Sequence, residues 1–188
     1  MNAGRRYWLP NLVTLARLGA VPVTVYLVSE EAYGVAFWVF VLAGLSDALD
    51  GFLAKQLGAV SQFGAYLDPL ADKALLVAVF VTLAAMDQIA TWLVILIVFR
   101  DLLIVGGALF YSTLTGSRVT VKPLMVSKLN TAAQIVLAAV VLGKLGLGVQ
   151  IPWLKASLVY LVATTTAASG AAYVWTWTRR AFTLEEKP

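Results

Sequence analysis

Six apolar stretches of roughly twenty residues each, set off by charge, Gly and Pro, dominate this sequence. Crossing the hydrocarbon core of a bilayer takes about 20 apolar residues in a helix. The stretches fall at roughly 11–29, 34–55, 64–86, 89–113, 124–143 and 153–177. In a chain of 188 residues they leave room for little else. The expected architecture is an all-α integral-membrane domain covering 1–188, with six transmembrane helices. Composition agrees: 61% of residues are hydrophobic and only 13% are charged. Soluble domains are about half apolar, and so few charges cannot cover a water-soluble surface.

Arg5 and Arg6 precede the first stretch, as in a secretory signal. Arg17 and Pro22 interrupt that stretch, and no small-residue cleavage site follows; it reads as the first membrane helix. Arg5, Arg6, Lys55, Arg118, Lys122, Arg179 and Arg180 flank one set of span ends, whereas Glu30, Glu31 and Asp87 flank the other. Lys144 and Lys155 are exceptions. The positive-inside rule then places both termini on the cytoplasmic face of a bacterial membrane, or the matrix face of a mitochondrial inner membrane.

There is no Cys and no His. Thiolate chemistry and imidazole chemistry are both excluded, so acid–base or metal work falls to carboxylates. The net charge of +4 suits contact with anionic lipid headgroups. Nucleic acid is not an expected partner, because the basic residues flank apolar spans instead of forming a patch.

Four of the ten acidic residues lie within one segment. Asp47 and Asp50, spaced i, i+3, end the second stretch; Asp68 and Asp72, spaced i, i+4, begin the third. Each pair shares a helix face, and the short link makes the two helices expected neighbours. Four anions in a poorly hydrated site are costly without positive charge. Hard divalent cations, Mg²⁺ or Mn²⁺, take oxygen ligands of this kind, with substrate phosphates completing the shell. Two such ions suit a displacement at phosphorus. Gly51, Ala54 and Gly64 would let a diphosphate approach the backbone. Taken singly, these residues have plainer explanations. Asp68 before Pro69 could be a helix N-cap, and Gly51 and Ala54 could be close-packing positions.

The stretch Asp47-x2-Asp50-Gly51-x2-Ala54-Lys55-x8-Gly64-x3-Asp68-x3-Asp72 resembles the signature of the CDP-alcohol phosphatidyltransferases. It departs at one fixed position, where the family has Arg and this chain has Lys55. The resemblance implies a six-helix, usually homodimeric membrane enzyme. Such an enzyme binds a CDP-linked lipid with two divalent metals, and an alcohol attacks the β-phosphoryl group to release CMP. Asp47, Asp50, Asp68 and Asp72 match the metal ligands, and Asp72 also matches the general base. Gly51, Lys55 and Ser61 match contacts to the CDP moiety, and Asn11 and Thr14 match its neighbours at the start of the first helix. Arg grips phosphate bidentately whereas Lys acts as a point charge, so Lys55 implies looser geometric control.

Outside the signature, Arg17, Arg100 and Lys128 lie within apolar stretches, where ionisable residues mark functional sites by default. They suggest an acceptor that carries a phosphate. Arg100 could instead be a structural ion pair, and Lys128 could snorkel to the interface. Leu67-Asp-Pro-Leu-Ala-Asp-Lys73, Arg100-Asp101-Leu-Leu-Ile104, the run Lys122 to Gln134 and the run Thr165 to Ser169 resemble the cardiolipin synthase branch, whose acceptor is phosphatidylglycerol. The alternative branch makes phosphatidylglycerol phosphate from glycerol 3-phosphate. A membrane transporter is the reading from another class, but it predicts carboxylates at mid-membrane instead of span ends. Trp8, Trp92, Trp153, Trp175 and Trp177 near span ends fit an interfacial belt.

Overall fold

A computed structural model describes the backbone of residues 5–57, 62–115, 125–149 and 151–185. It describes the side chains of 15–46, 71, 73–108, 113, 125–149, 151 and 153–179. The described regular structure is helical: α1 (Arg5–Ser29), α2 (Tyr33–Leu57), α3 (Gln62–Ala85), α4 (Thr91–Thr115), α5 (Met125–Leu147) and α6 (Pro152–Glu185).

Every helix is about as long as the apolar stretch that predicts it, or longer. α3 begins at Gln62, so Pro69 lies inside the helix and Asp68 is not its N-cap. Pro22 likewise sits inside α1. Two residues on, Thr24 donates to the Ala20 carbonyl at 2.7 Å, adding a bond to that turn. Membrane helices tolerate interior proline where such adjustments are made. The fifth helix outruns the expected stretch 124–143: α5 continues to Leu147, and positive φ appears only at Gly148 among the described glycines.

Two helix ends close in the same manner. Ala32 N–H donates to Leu27 C=O and Glu31 N–H to Val28 C=O; Gln88 N–H donates to Leu83 C=O and Asp87 N–H to Ala84 C=O. These are Schellman caps. Their left-handed residues are Glu31, at φ 59°, and Asp87, at φ 56°.

Backbone contacts divide the chain into two compact units. The first comprises residues 1–89 and 138–151. Here α1 packs against both α2 and α3. On α3, Ala71, Leu75, Val79 and Leu83 are buried at helical spacing and present one apolar stripe. The end of α5 runs antiparallel along the start of α2. Gly143 faces Phe37, and Gly146 meets the Gly34 backbone so closely that a Cβ there would lie 2.5 Å from Gly34 Cα. The second unit comprises residues 90–137 and 152–188. There α4 and α6 pack in parallel: Arg100 pairs with Ser169 and Gly107 meets Trp177.

Among the described residues, three segments are long and apolar enough to cross a membrane: Thr91–Ala108, Met125–Leu147 and Trp153–Arg179. Shorter apolar segments lie at Leu15–Ser29, Tyr33–Ser46 and Lys73–Ala85. Ile95, Phe99 and Leu102 form a stripe on α4 that is more than 60% exposed. Such a stripe suits lipid, not water. Trp153 and Trp175, 69% and 62% exposed, stand 22 positions apart on α6. At 1.5 Å per residue that is about 33 Å, close to the thickness of a hydrocarbon core. The Arg179 guanidinium sits over the Trp175 ring, 5.0 Å from its centroid. The protein is thus a membrane protein built from helices.

Candidate functional site

The aspartate motif straddles two helices. Asp47 and Asp50 lie in α2, and Asp68 and Asp72 in α3, with unbroken helical backbone through both pairs. An i, i+3 pair and an i, i+4 pair on continuous helices each share one face. The side chains of all four lie outside the described residues, as do those of Asn11, Thr14, Gly51, Ala54, Lys55 and Gly64; Ser61 lies outside altogether. The donor set, four carboxylates in a chain without His or Cys, fits Mg²⁺ or Mn²⁺. No cluster of three or more ligating side chains occurs among the described residues.

Directly before the motif, α1 and α2 flank an open cavity of about 250 Å³. Ala16, Arg17 and Ala20 line it from α1, and Val39, Leu42, Ala43 and Ser46 line it from α2. Arg17 is only 4% exposed, deep for a cation. Ser46 donates its hydroxyl proton to Leu42 C=O at 2.8 Å, so towards anything else its oxygen is an acceptor. The small side chains Ala16, Ala20 and Ala43 leave the space. Sequence reasoning singled out Arg17 but not this cavity; the i, i+4 alanines on α1 were the available signal.

In the second unit, Arg100 is also 4% exposed, and it is extensively bonded. Nε and Nη2 both donate to Ser169 Oγ, at 3.1 and 2.6 Å. Nη2 also donates to Ser127 Oγ at 2.5 Å, and Nη1 to Asp101 Oδ1 at 2.6 Å. One guanidinium therefore ties α4 to α5 and α6. The structural ion pair weighed from sequence is present, with Asp101 as its partner.

One turn along α5, Asn130 is fully buried. Its Oδ1 accepts from Thr166 at 2.8 Å and Thr165 at 2.9 Å. Thr165 has one proton and also lies 2.7 Å from Leu161 C=O, so Thr166 is the undivided donor. Asn130 Nδ2 and Gln134 Nε2 are buried without a hydrogen-bond partner. Lys128, beside Ser127, is exposed. Arg17 belongs to the first unit, Arg100 and Lys128 to the second. Sequence reasoning did not identify Asn130, Gln134 or Ser169 as buried; polar residues spaced along an otherwise apolar helix were the only sign.

Comparison with known proteins follows the same lines. The family model for CDP-alcohol phosphatidyltransferase matches residues 7–175. A chloroplastic CDP-diacylglycerol–glycerol-3-phosphate 3-phosphatidyltransferase of Oryza sativa subsp. japonica is 40% identical over 182 residues, covering 88% of this chain and 55% of that protein. The cardiolipin synthase (CMP-forming) of Rattus norvegicus is 36% identical over 186 residues, covering 88% of this chain and 60% of that protein. The CDP-diacylglycerol–glycerol-3-phosphate 3-phosphatidyltransferase of Bacillus subtilis (strain 168) is 34% identical over 149 residues, covering 71% and 76%. The chain thus spans little more than half the length of the rice and rat proteins.

Proposed function

The chain belongs to the CDP-alcohol phosphatidyltransferase family, and on that premise we propose that it transfers a phosphatidyl group from CDP-diacylglycerol to phosphatidylglycerol, giving cardiolipin and CMP. A hydroxyl oxygen of phosphatidylglycerol attacks the β-phosphorus of the donor. A new P–O bond forms, the P–O bond to CMP breaks, and CMP leaves with the electron pair. Asp72 takes the proton of the attacking hydroxyl. Asp47, Asp50, Asp68 and Asp72 hold two divalent cations, Mg²⁺ or Mn²⁺, which when bound neutralise the charge on the phosphates. Gly51, Ala54, Lys55, Ser61 and Gly64, with Asn11 and Thr14, receive the CDP-lipid. Arg100 and Lys128 supply positive charge for the acceptor's phosphate, with Arg17 as the third such residue. We further propose six membrane spans, with the site open to the cytoplasm or matrix, and a homodimer.

The observation that carries the choice of acceptor is the polar network on α4, α5 and α6. Three of the four stretches that resemble the cardiolipin synthase branch are far apart in sequence, yet Arg100, Ser127 and Ser169 bond together, as do Asn130, Thr165 and Thr166. They form one connected unit, so their likeness to that branch is not a scatter of unrelated matches. The second reading is synthesis of phosphatidylglycerol phosphate from glycerol 3-phosphate, favoured by the names of the rice and Bacillus relatives.

Purified protein given CDP-diacylglycerol and either acceptor, with Mg²⁺ or Mn²⁺, decides between them. Cardiolipin from phosphatidylglycerol is expected. Product from glycerol 3-phosphate alone establishes the second reading. Absence of CMP with both acceptors returns the question to transport.

A further inference from the structure

We propose that Asn130 and Gln134 together hold one water molecule inside the second unit, at the inner end of the polar network on α4, α5 and α6. The inference goes beyond the reaction proposed above and does not depend on which acceptor the enzyme takes.

α5 carries the polar residues of that network on one face, since Ser127, Asn130 and Gln134 follow one another at spacings of three and four. At 1.5 Å per residue, Asn130 lies about 7.5 Å and Gln134 about 13.5 Å along the helix from Met125. In a helix of 23 residues Gln134 is therefore near the middle, at a depth where the bilayer offers no hydrogen-bond partner. Asn130 is 0% and Gln134 2% exposed. Their amide nitrogens, Nδ2 and Nε2, are both buried without a hydrogen-bond partner. One turn towards the start of α5 the pattern is the reverse, for Ser127, Ser169 and Asp101 all accept from Arg100. A buried donor left unmet costs more than an ordinary hydrogen bond returns, and here two occur side by side.

The occupant has to accept from both nitrogens at a place that neither bulk solvent nor lipid reaches. Burial excludes a headgroup or an ester carbonyl, whose acyl chain would need an open path. Water has the size and the chemistry. Side chains at i and i+4 start about 5–6 Å apart, so two amides can close on one oxygen, each at about 2.9 Å. Gln134 reaches the site on three rotatable bonds and can set its amide to the width of a water molecule. The water's own protons also find an acceptor. Thr165 lies 2.7 Å from the Leu161 carbonyl, to which it can give its proton. Its oxygen then stands 2.9 Å from Asn130 Oδ1 as an acceptor beside the same amide. That makes three bonds, the usual number for a buried water. An amide can also present its other end. Turned about, Asn130 would give its nitrogen to the threonine hydroxyls and leave Oδ1 unmet. Water serves both arrangements because it donates as well as accepts, whereas an anion serves only one.

The water joins Gln134 to the bonds that Asn130 makes with Thr165 and Thr166. It thereby helps to set the rotation of α5 about its own axis, on which the approach of Ser127 to Arg100 depends.

The test uses the full chain, perdeuterated, in nanodiscs of deuterated lipid, with nitrogen-15 in the Asn and Gln side-chain amides. Gln134→Met and Asn130→Leu identify the two signals. Should Asn130→Leu not fold, its signal follows by elimination from Asn2→Ser and Asn11→Ser, which carry the other asparagines. Magnetisation selected at the water frequency is expected to reach both amides. Thr166→Val removes a hydroxyl proton that could relay it, and the Gln134 cross-peak is expected to persist there. The second measurement is the melting temperature of Gln134→Met, which keeps the length of the side chain and removes its donor. With a held water the variant loses a bond, and the melting temperature falls by about 2–4 °C, the shift for one net hydrogen bond in a chain of this size. Without one, an unmet buried amide is replaced by apolar atoms, and the melting temperature rises. That rise overturns the proposal. So does a water cross-peak from only one amide or from neither, or its loss from Gln134 in Thr166→Val.

Discussion

Arg100 directs two of its nitrogens, Nε and Nη2, at the single hydroxyl oxygen of Ser169, 69 positions away in sequence. In an apolar surrounding a guanidinium is held only where its donors are met and its charge is balanced. Ser169, Ser127 and Asp101 do both, and in doing so they fix α4, α5 and α6 to one another.

Removing that hydroxyl should be costly. Ser169→Ala is expected to destabilise the protein by about 1.5–3 kcal/mol, the range for a hydrogen bond to a charged group. Arg100→Leu should cost about 3–5 kcal/mol, because it breaks the pair with Asp101 and removes the donors that Ser127 and Ser169 accept from. Thermal unfolding in detergent measures both. Equal stability of parent and Ser169→Ala would show that the bond contributes nothing.

The two glycines that meet between α2 and α5 should not be equally replaceable. A Cβ on Gly146 would lie 2.5 Å from Gly34 Cα and 2.6 Å from Tyr33 C, against backbone that cannot turn aside. A Cβ on Gly34 would lie 3.3 Å from Gly146 O, which a small shift can relieve. Gly146→Ala is therefore expected to cost more than about 3 kcal/mol, the upper part of the overpacking range, and Gly34→Ala about 1 kcal/mol. The order of the two melting temperatures is the check.

Glu31 and Asp87 occupy left-handed positions that a side chain disfavours by about 1–2 kcal/mol. Glu31→Gly and Asp87→Gly should each stabilise by about 1 kcal/mol, partly offset by the greater freedom of glycine in the unfolded chain. Gly148→Ala, at φ 70°, should shift stability the other way. Chemical denaturation of the three variants tests all these signs together.

Asp72→Asn keeps the shape of the side chain and removes its capacity to take a proton. A loss of turnover of about 10²–10⁴-fold is expected, the usual contribution of a general base. Excess chelator should abolish CMP release in the parent, and added Mg²⁺ or Mn²⁺ should restore it. Full activity in chelator would remove metal ions from the mechanism.

Much of this protein is legible in one dimension. Apolar runs long enough for a bilayer predict six helices, and the structure has helices at all six places, because in lipid a helix is the local way to satisfy every backbone N–H and C=O. The spacing of Asp47, Asp50, Asp68 and Asp72 is a property of single helices, and it placed the chain in its family. Helix ends were less legible. Pro69 and Gly143 look like punctuation, yet α3 and α5 pass through them, since tertiary packing outweighs local preference.

What only the tertiary structure decided is which polar residues meet. Nothing in the order of residues pairs Arg100 with Ser169, or Asn130 with Thr166. Those bonds depend on the rotation and depth of whole helices, set by packing over their entire length. The cavity beside Arg17 has the same origin: alanine leaves space only where the facing helix also recedes, and that is a property of two helices together.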